Sequence, residues 1–275
     1  MTPTDRPGPT VRLITEEHTG VGRQAREDRV AAEEPLEIRL SWPGEVPRRV
    51  WVTMRTPGHD FDLAAGWLLH EGLAGPDDVR TVAYCTDEDL SPQQEFNVVT
   101  VTLARPPGRE VSHRHVAASA GSAACGVCGK DSIAEVLTTP RGPRWDGGAL
   151  DAELVRLLPE RLRACQPVFD ATGGVHAAGL ATATGDLVTV REDVGRHNAV
   201  DKVTGARLLA GAPTAEAALV VSGRAGFELV QKAVAAGVGS LVAVGAPSAL
   251  AVSLAQEAGL GLWGFTGARR TVRYS

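Results

Sequence analysis

The second half of this chain sets the tightest limit on its fold. From residue 218 onward, short apolar runs alternate with segments of helical period. Ala218-Leu219-Val220-Val221-Ser222 reads as a buried strand and Phe227 to Ala236 as a helix. Ser240 to Val244 is a second buried strand, Pro247 to Glu257 a second helix, and Leu260 to Phe265 a last strand. Runs this short and apolar, bounded by Gly and Pro, fit strands covered on both faces. Strand and helix in alternation argue a layered α/β architecture. Upstream, Leu154 to Cys165 and Ala199 to Leu209 have helical period, and Val175–Leu180 pairs with Leu187–Val190 around Thr184-Gly185-Asp186.

The first half reads differently. Leu36 to Leu40 alternates apolar and polar residues, Val50 to Met54 does so in part, and Phe96 to Leu103 alternates again. Between them Asp60 stands at a cap position before a helix over Phe61–Glu71, which Gly72 stops. The 275 residues therefore divide into a flexible tail at 1–27, a smaller α+β part at 28–115, a mobile loop at 116–130 and an α/β domain at 131–275.

Charge and cysteine usage narrow the function. With 28 basic and 33 acidic side chains the net charge is −5, which argues against a nucleic-acid binder. No apolar run of about 18 residues exists, so no membrane span is expected. Met1 to Thr10 lacks an apolar signal segment. A cytoplasmic chain, with reduced thiols, is expected. The four cysteines then read as free thiols, metal ligands or redox groups. Cys85 and Cys165 have no partner at useful spacing and read as small buried apolar groups.

Cys125-Gly126-Val127-Cys128 is the sharpest local feature. Two intervening residues let both sulfurs converge on a metal, a disulfide or a sulfur atom in transit. A structural zinc site needs a second ligand pair, which the spacing does not supply. The surrounding Gly, Ala and Ser suit an exposed loop, and Lys130 favours the thiolate. Three further segments each leave a strand for a turn rich in arginine and glycine. They are Arg191-Glu192-Asp193-Val194-Gly195-Arg196-His197-Asn198, Ser222-Gly223-Arg224-Ala225-Gly226, and Phe265-Thr266-Gly267-Ala268-Arg269-Arg270. Strand ends feeding helix starts are where α/β folds build sites. Arginine forks and helix N-termini bind phosphate. Three such turns suggest one anionic ligand with several phosphates. Asp193 or Asn198 is a candidate cap for the helix that follows.

These segments, with Ala32-Glu33-Glu34-Pro35-Leu36, Thr56 to Leu73, Thr172 to Ala178, Glu228 to Ala233 and Ala246 to Val252, resemble the FdhD family of formate dehydrogenase accessory sulfurtransferases. The resemblance covers residues 28 to 275. It implies a sulfurtransferase that takes persulfide sulfur from a cysteine desulfurase. The acceptor would be the molybdenum cofactor in its bis(guanine dinucleotide) form, bound as substrate before insertion into formate dehydrogenase. It implies Cys125 and Cys128 as the sulfur-carrying pair, Cys125 foremost. It implies cofactor contacts at Phe265, Thr266, Gly267, Ala268, Arg269 and Arg270, to which Arg191, Arg196, His197, Ser222 and Arg224 are added as phosphate-side candidates. A cytidine-deaminase-like C-terminal part and a homodimer are implied too, with neither a resident metal nor a permanent cofactor. The chain departs from the family pattern at Gly267, where arginine is common, and at Gly226, where serine is.

Three rival readings follow from the same residues. A zinc deaminase needs His-x-Glu ahead of Pro-Cys-x-x-Cys, whereas here Ala124 precedes Cys125 and Val116-Ala117 follow His115. A cofactor-delivering chaperone would use the arginines without the cysteines. A thiol-disulfide oxidoreductase would use the cysteines alone.

Overall fold

The computed structural model describes residues 6–86, 90, 95–111, 136–137 and 143–275. Cys125, Cys128 and the expected loop at 116–130 lie outside the described residues.

The chain begins with an antiparallel hairpin of β1 (Thr10–Thr19) and β2 (Gly22–Ala31), turning at Gly20-Val21. Its strands therefore occupy much of the stretch expected as a flexible tail over residues 1–27. Both strands carry charges on both faces, so no apolar alternation betrays them. Cross-strand ion pairs such as Arg26–Glu17, at 2.8 Å, tie them instead. Ile14 and Val21 are exposed.

The N-terminal part is a four-stranded sheet ordered β4-β3-β6-β5. It is built from β3 (Glu34–Ser41), β4 (Arg48–Arg55), β5 (Val79–Tyr84) and β6 (Val98–Leu103). The alternation of β3 puts Leu36, Ile38 and Leu40 on one face, all fully buried. They pack with Leu63, Ala64, Trp67 and Leu68 of helix α1 (Asp60–His70). Trp51 stacks on Trp67 with ring centroids 4.9 Å apart. Asp60 is not the cap: His59 holds that position in left-handed backbone, with φ 57°. Asp60 is instead buried against Arg55, whose Nε donates to Asp60 Oδ1 at 2.9 Å.

The C-terminal part is a six-stranded sheet ordered β12-β11-β10-β9-β7-β8. Its strands are β7 (His176–Ala181), β8 (Leu187–Asp193), β9 (Ala218–Val221), β10 (Ser240–Ala243), β11 (Gly261–Gly267) and β12 (Arg270–Arg273). Strands β9, β10 and β11 run parallel, and β7 and β12 run against them. On one face Leu219 and Val221 pack under α4 (Arg196–Leu209), α5 (Phe227–Ala236) and α6 (Ala249–Ala258). On the other, Ala218 and Val220 meet Val155, Leu158 and Leu162 of α2 (Ala152–Arg163). Cover on both faces explains why these strands are uniformly apolar. A short helix α3 (Pro167–Thr172) links α2 to β7.

The two parts meet helix to helix. A methyl group on Gly66 of α1 would stand 1.9 Å from the Asp201 carbonyl oxygen, and one on Gly205 of α4 1.8 Å from the Asp62 carbonyl oxygen. Only glycine permits backbones this close. Beneath that contact, His70 Nδ1 lies 2.6 Å from Asp201 Oδ1, and Lys232 Nζ lies 2.6 Å from the same oxygen. All three side chains are buried.

Candidate functional site

The parallel strands place their carboxyl ends along one edge of the larger sheet. Ser222 follows β9, Val244 follows β10, and Phe265 to Gly267 end β11. Because β7 is antiparallel to β9, its first residue His176 arrives at the same edge. The turn between α2 and α3 closes over it. Together they enclose a cleft of about 680 Å³, with His176, Ser222, Thr266, Gly267, Gln166 and Phe169 in its lining. That volume lies in the range of small-molecule sites.

The polar groups in it are ordered. Ser222 Oγ accepts the Ala177 N–H at 2.9 Å and lies 3.3 Å from His176 Nδ1. Burial first, and the nearby Arg196 guanidinium second, hold His176 below its ordinary range. The imidazole is therefore neutral at neutral pH, and its Nδ1 can accept a hydrogen bond from the Ser222 hydroxyl while Nε2–H donates outward. Arg196 passes close to Gly223, since a methyl group there would sit 3.4 Å from Arg196 Cδ and 3.6 Å from His176 Cε1. Its Nε is buried and has no hydrogen-bond partner among the described residues. Arg196 also opens α4, which has Gly195 at its N-cap and no side-chain cap. Helix α5 likewise starts uncapped at Gly226. Uncapped N–H groups beside a guanidinium favour an anion.

The sequence-predicted residues separate here. Ser222, Thr266 and Gly267 line the cleft, with Arg196 beside it. Phe265 takes a left-handed backbone, φ 49°, at a bulge in β11, and its ring lies under Arg270 at 4.9 Å. Such strain in a non-glycine residue concentrates at functional sites. Thr266 Oγ1 lies 2.9 Å from Thr271 Oγ1. Ala268 and Arg269 are exposed in the turn beyond, as is Arg224 after β9. His197 Nε2 lies 3.5 Å from Glu228 Oε2 at the start of α5. Burial keeps this histidine below its ordinary range although Glu228 pulls the other way.

Arg191 does something else: its Nε donates to Asp62 Oδ2 at 2.9 Å, joining β8 to α1. Asp193 and Asn198 cap no helix. Asp193 Oδ1 accepts from Gly195 N at 2.8 Å and Asn198 Nδ2 at 3.1 Å, while Asn198 Nδ2 also reaches the Met54 carbonyl at 2.8 Å. Burial pushes the Asp193 carboxyl up, against the pull of Lys202. Glu192 accepts the Val168 and Phe169 N–H groups at 2.9 and 2.8 Å, so it caps α3 from across the sheet edge. Cys165 is exposed rather than buried, because it falls in the turn beyond α2 where none of the described residues covers it. His176, Gln166 and Phe169 were not among the candidate contacts. A lone His opening a strand, or a Gln before Pro, gives no spacing signal.

The model of the FdhD/NarQ family matches residues 31–275. The chain belongs to this family. It is 50% identical over 250 residues to the sulfur carrier protein FdhD of Nocardia farcinica, spanning 90% of this chain and 86% of that one. It is also 50% identical over 248 residues to the sulfur carrier protein FdhD of Streptomyces coelicolor, spanning 87% and 84%. A crystal structure described as a formate dehydrogenase accessory protein of Desulfotalea psychrophila superposes with a TM-score of 0.73 at 24% identity, covering 98% of this chain and 97% of that one. That likeness extends the fold over almost the whole length. Among the described residues, no helix is long and apolar enough to cross a membrane.

Proposed function

We propose that this FdhD-family chain is a sulfurtransferase serving formate dehydrogenase from the cytoplasm. It takes sulfur from a cysteine desulfurase and passes it to the molybdenum cofactor, held in its bis(guanine dinucleotide) form as substrate, at the carboxyl edge of the larger sheet. The observation that carries the reading is a cleft of about 680 Å³ lined by the Ser222–His176 pair, with the uncapped start of α4 and Arg196, whose buried Nε has no partner among the described residues, beside it. The naming of close relatives as sulfur carrier proteins supports the sulfur-transfer half.

The chemistry asks little acid–base work of the cleft. The Cys125 thiolate attacks the outer sulfur of the desulfurase persulfide, the S–S bond there breaks, and the desulfurase thiolate leaves. Attack by the Cys128 thiolate on the inner sulfur of the new persulfide then releases hydrosulfide to the acceptor. A Cys125–Cys128 disulfide remains, which a thiol reductant reopens. Meanwhile Arg196 and the N–H groups of α4 and α5 hold phosphate, and neutral His176 donates a hydrogen bond without adding charge. The order β8-β7-β9-β10-β11, with β7 running against its neighbours, supports a cytidine-deaminase-like C-terminal part. A homodimer completes the proposal.

The deciding variant is Cys125→Ala. Lost formate dehydrogenase maturation with retained cofactor binding supports sulfur transfer. Undiminished maturation would leave a chaperone that only delivers the cofactor.

A further inference from the structure

Gln166 stands in the turn where α2 gives way to α3, on the wall of the cleft, and is only 3% exposed. It occupies the N-cap of α3 yet makes no side-chain cap bond. The reason is Glu192, whose carboxylate already takes the Val168 and Phe169 N–H groups. The backbone carbonyl of Gln166 accepts the Asp170 N–H at 3.0 Å, but its side-chain amide has no hydrogen-bond partner among the described residues. Neither amide atom is fully enclosed, so the group opens on the cleft with its donor and acceptor both unused. One turn further, Phe169 also lines the cleft, and the Arg163 guanidinium lies 4.6 Å from its ring centroid. The wall therefore offers a flat aromatic and guanidinium surface beside a group with both a donor and an acceptor. Flat heterocycles are recognised by stacking on such planes and by hydrogen bonds to their edges.

We propose that Gln166 holds the 2-amino-4-oxopyrimidine edge shared by guanine and pterin rings, with the Phe169–Arg163 pair against the ring face. Its carbonyl accepts the ring N–H and its amide N–H donates to the ring oxygen. This deepens the cofactor reading above and rests on it, assigning the wall formed by the α2–α3 turn to the heterocycle and the sheet edge, with Arg196 beside it, to the phosphates.

The test titrates the full chain, wild type and Gln166→Leu, with GDP, 6-carboxypterin and inorganic pyrophosphate in turn. A bidentate contact to a base edge is worth a factor of about ten or more in affinity. The variant is expected to lose that factor for GDP, for the pterin or for both, with pyrophosphate binding unchanged. Loss confined to GDP places guanine at Gln166, and loss confined to the pterin places that ring there. Unchanged affinity for both rings overturns the assignment and leaves the cofactor reading intact. Parallel loss of pyrophosphate would mark a structural role and also overturn it. A wild-type chain that binds none of the three removes the cofactor reading and this inference with it.

Discussion

Asp193 Oδ2 lies 2.7 Å from Lys202 Nζ, and neither side chain is more than 1% exposed. The pair clamps the loop after β4. Thr56 N donates to Asp193 Oδ2 at 3.1 Å, Lys202 Nζ donates to the Thr56 carbonyl at 2.8 Å, and Val194 N donates to Thr56 Oγ1 at 3.0 Å. The longest family motif is thus largely a fastening between the two parts, which sets where Arg196 opens α4. Removing one partner leaves a buried charge uncompensated, at a cost of about 3–5 kcal/mol. Lys202→Met should lower the urea midpoint accordingly. A midpoint within error of wild type would contradict the clamp.

The glycine contact between α1 and α4 makes a second prediction. Gly→Ala inside a helix ordinarily gains about 1 kcal/mol. Here the added methyl on Gly66 or Gly205 would fall under 2 Å from a backbone oxygen, so the helices must separate. Overpacking costs about 1–3 kcal/mol and more where backbone must shift. Both Gly66→Ala and Gly205→Ala should destabilise the chain in denaturant unfolding, and a stabilised variant would refute the close approach.

Stability should fall on mild acidification. Burial holds His70, His176 and His197 below their ordinary value of 6.5. The unfolded chain then binds protons first as pH drops. The stability these neutral rings confer is whole above 6.5 and is lost as pH falls from there through their lower folded values. For His70 the raising influence of Asp201 is outweighed by burial. Unfolding free energies measured between pH 7.5 and pH 5.5 (roughly one unit either side of 6.5) should decline towards acid. A flat or rising profile would show these rings charged in the fold.

Phe265 carries its left-handed strain at the bulge of β11. Glycine adopts that backbone freely, whereas any other side chain costs about 1–2 kcal/mol. Phe265→Gly should therefore be more stable than Phe265→Ala, by about 1 kcal/mol in thermal unfolding. The reverse order would place the strain elsewhere.

Much of this architecture is written in local pattern, and its limits are physical. The strand over Ala218–Val221 and the helix over Phe227–Ala236 were readable because cover on both faces demands uniformly apolar strands and the helix ends at Gly237. The β1–β2 hairpin was not, because its strands have no buried face to impose alternation. Asp60 looked like a cap because a helix follows it, and only the fold brings Arg55 onto its carboxylate. Arg191 and Arg196 looked alike as phosphate contacts. One finds Asp62 at 2.9 Å, while the Nε of the other finds no partner among the described residues, a difference that depends on side chains far away in sequence. Gln166 was invisible because its freedom comes from Glu192 taking the cap it would otherwise make.

The central claim is sulfur carriage on the Cys125–Cys128 segment. Mass spectrometry of the peptide containing both cysteines, after incubation with a cysteine desulfurase and cysteine, tests it most directly. A gain of one sulfur atom, removed by thiol reductant and absent in Cys125→Ala, is the expected result. A peptide whose mass does not change, from a chain that still supports formate dehydrogenase maturation, would contradict it.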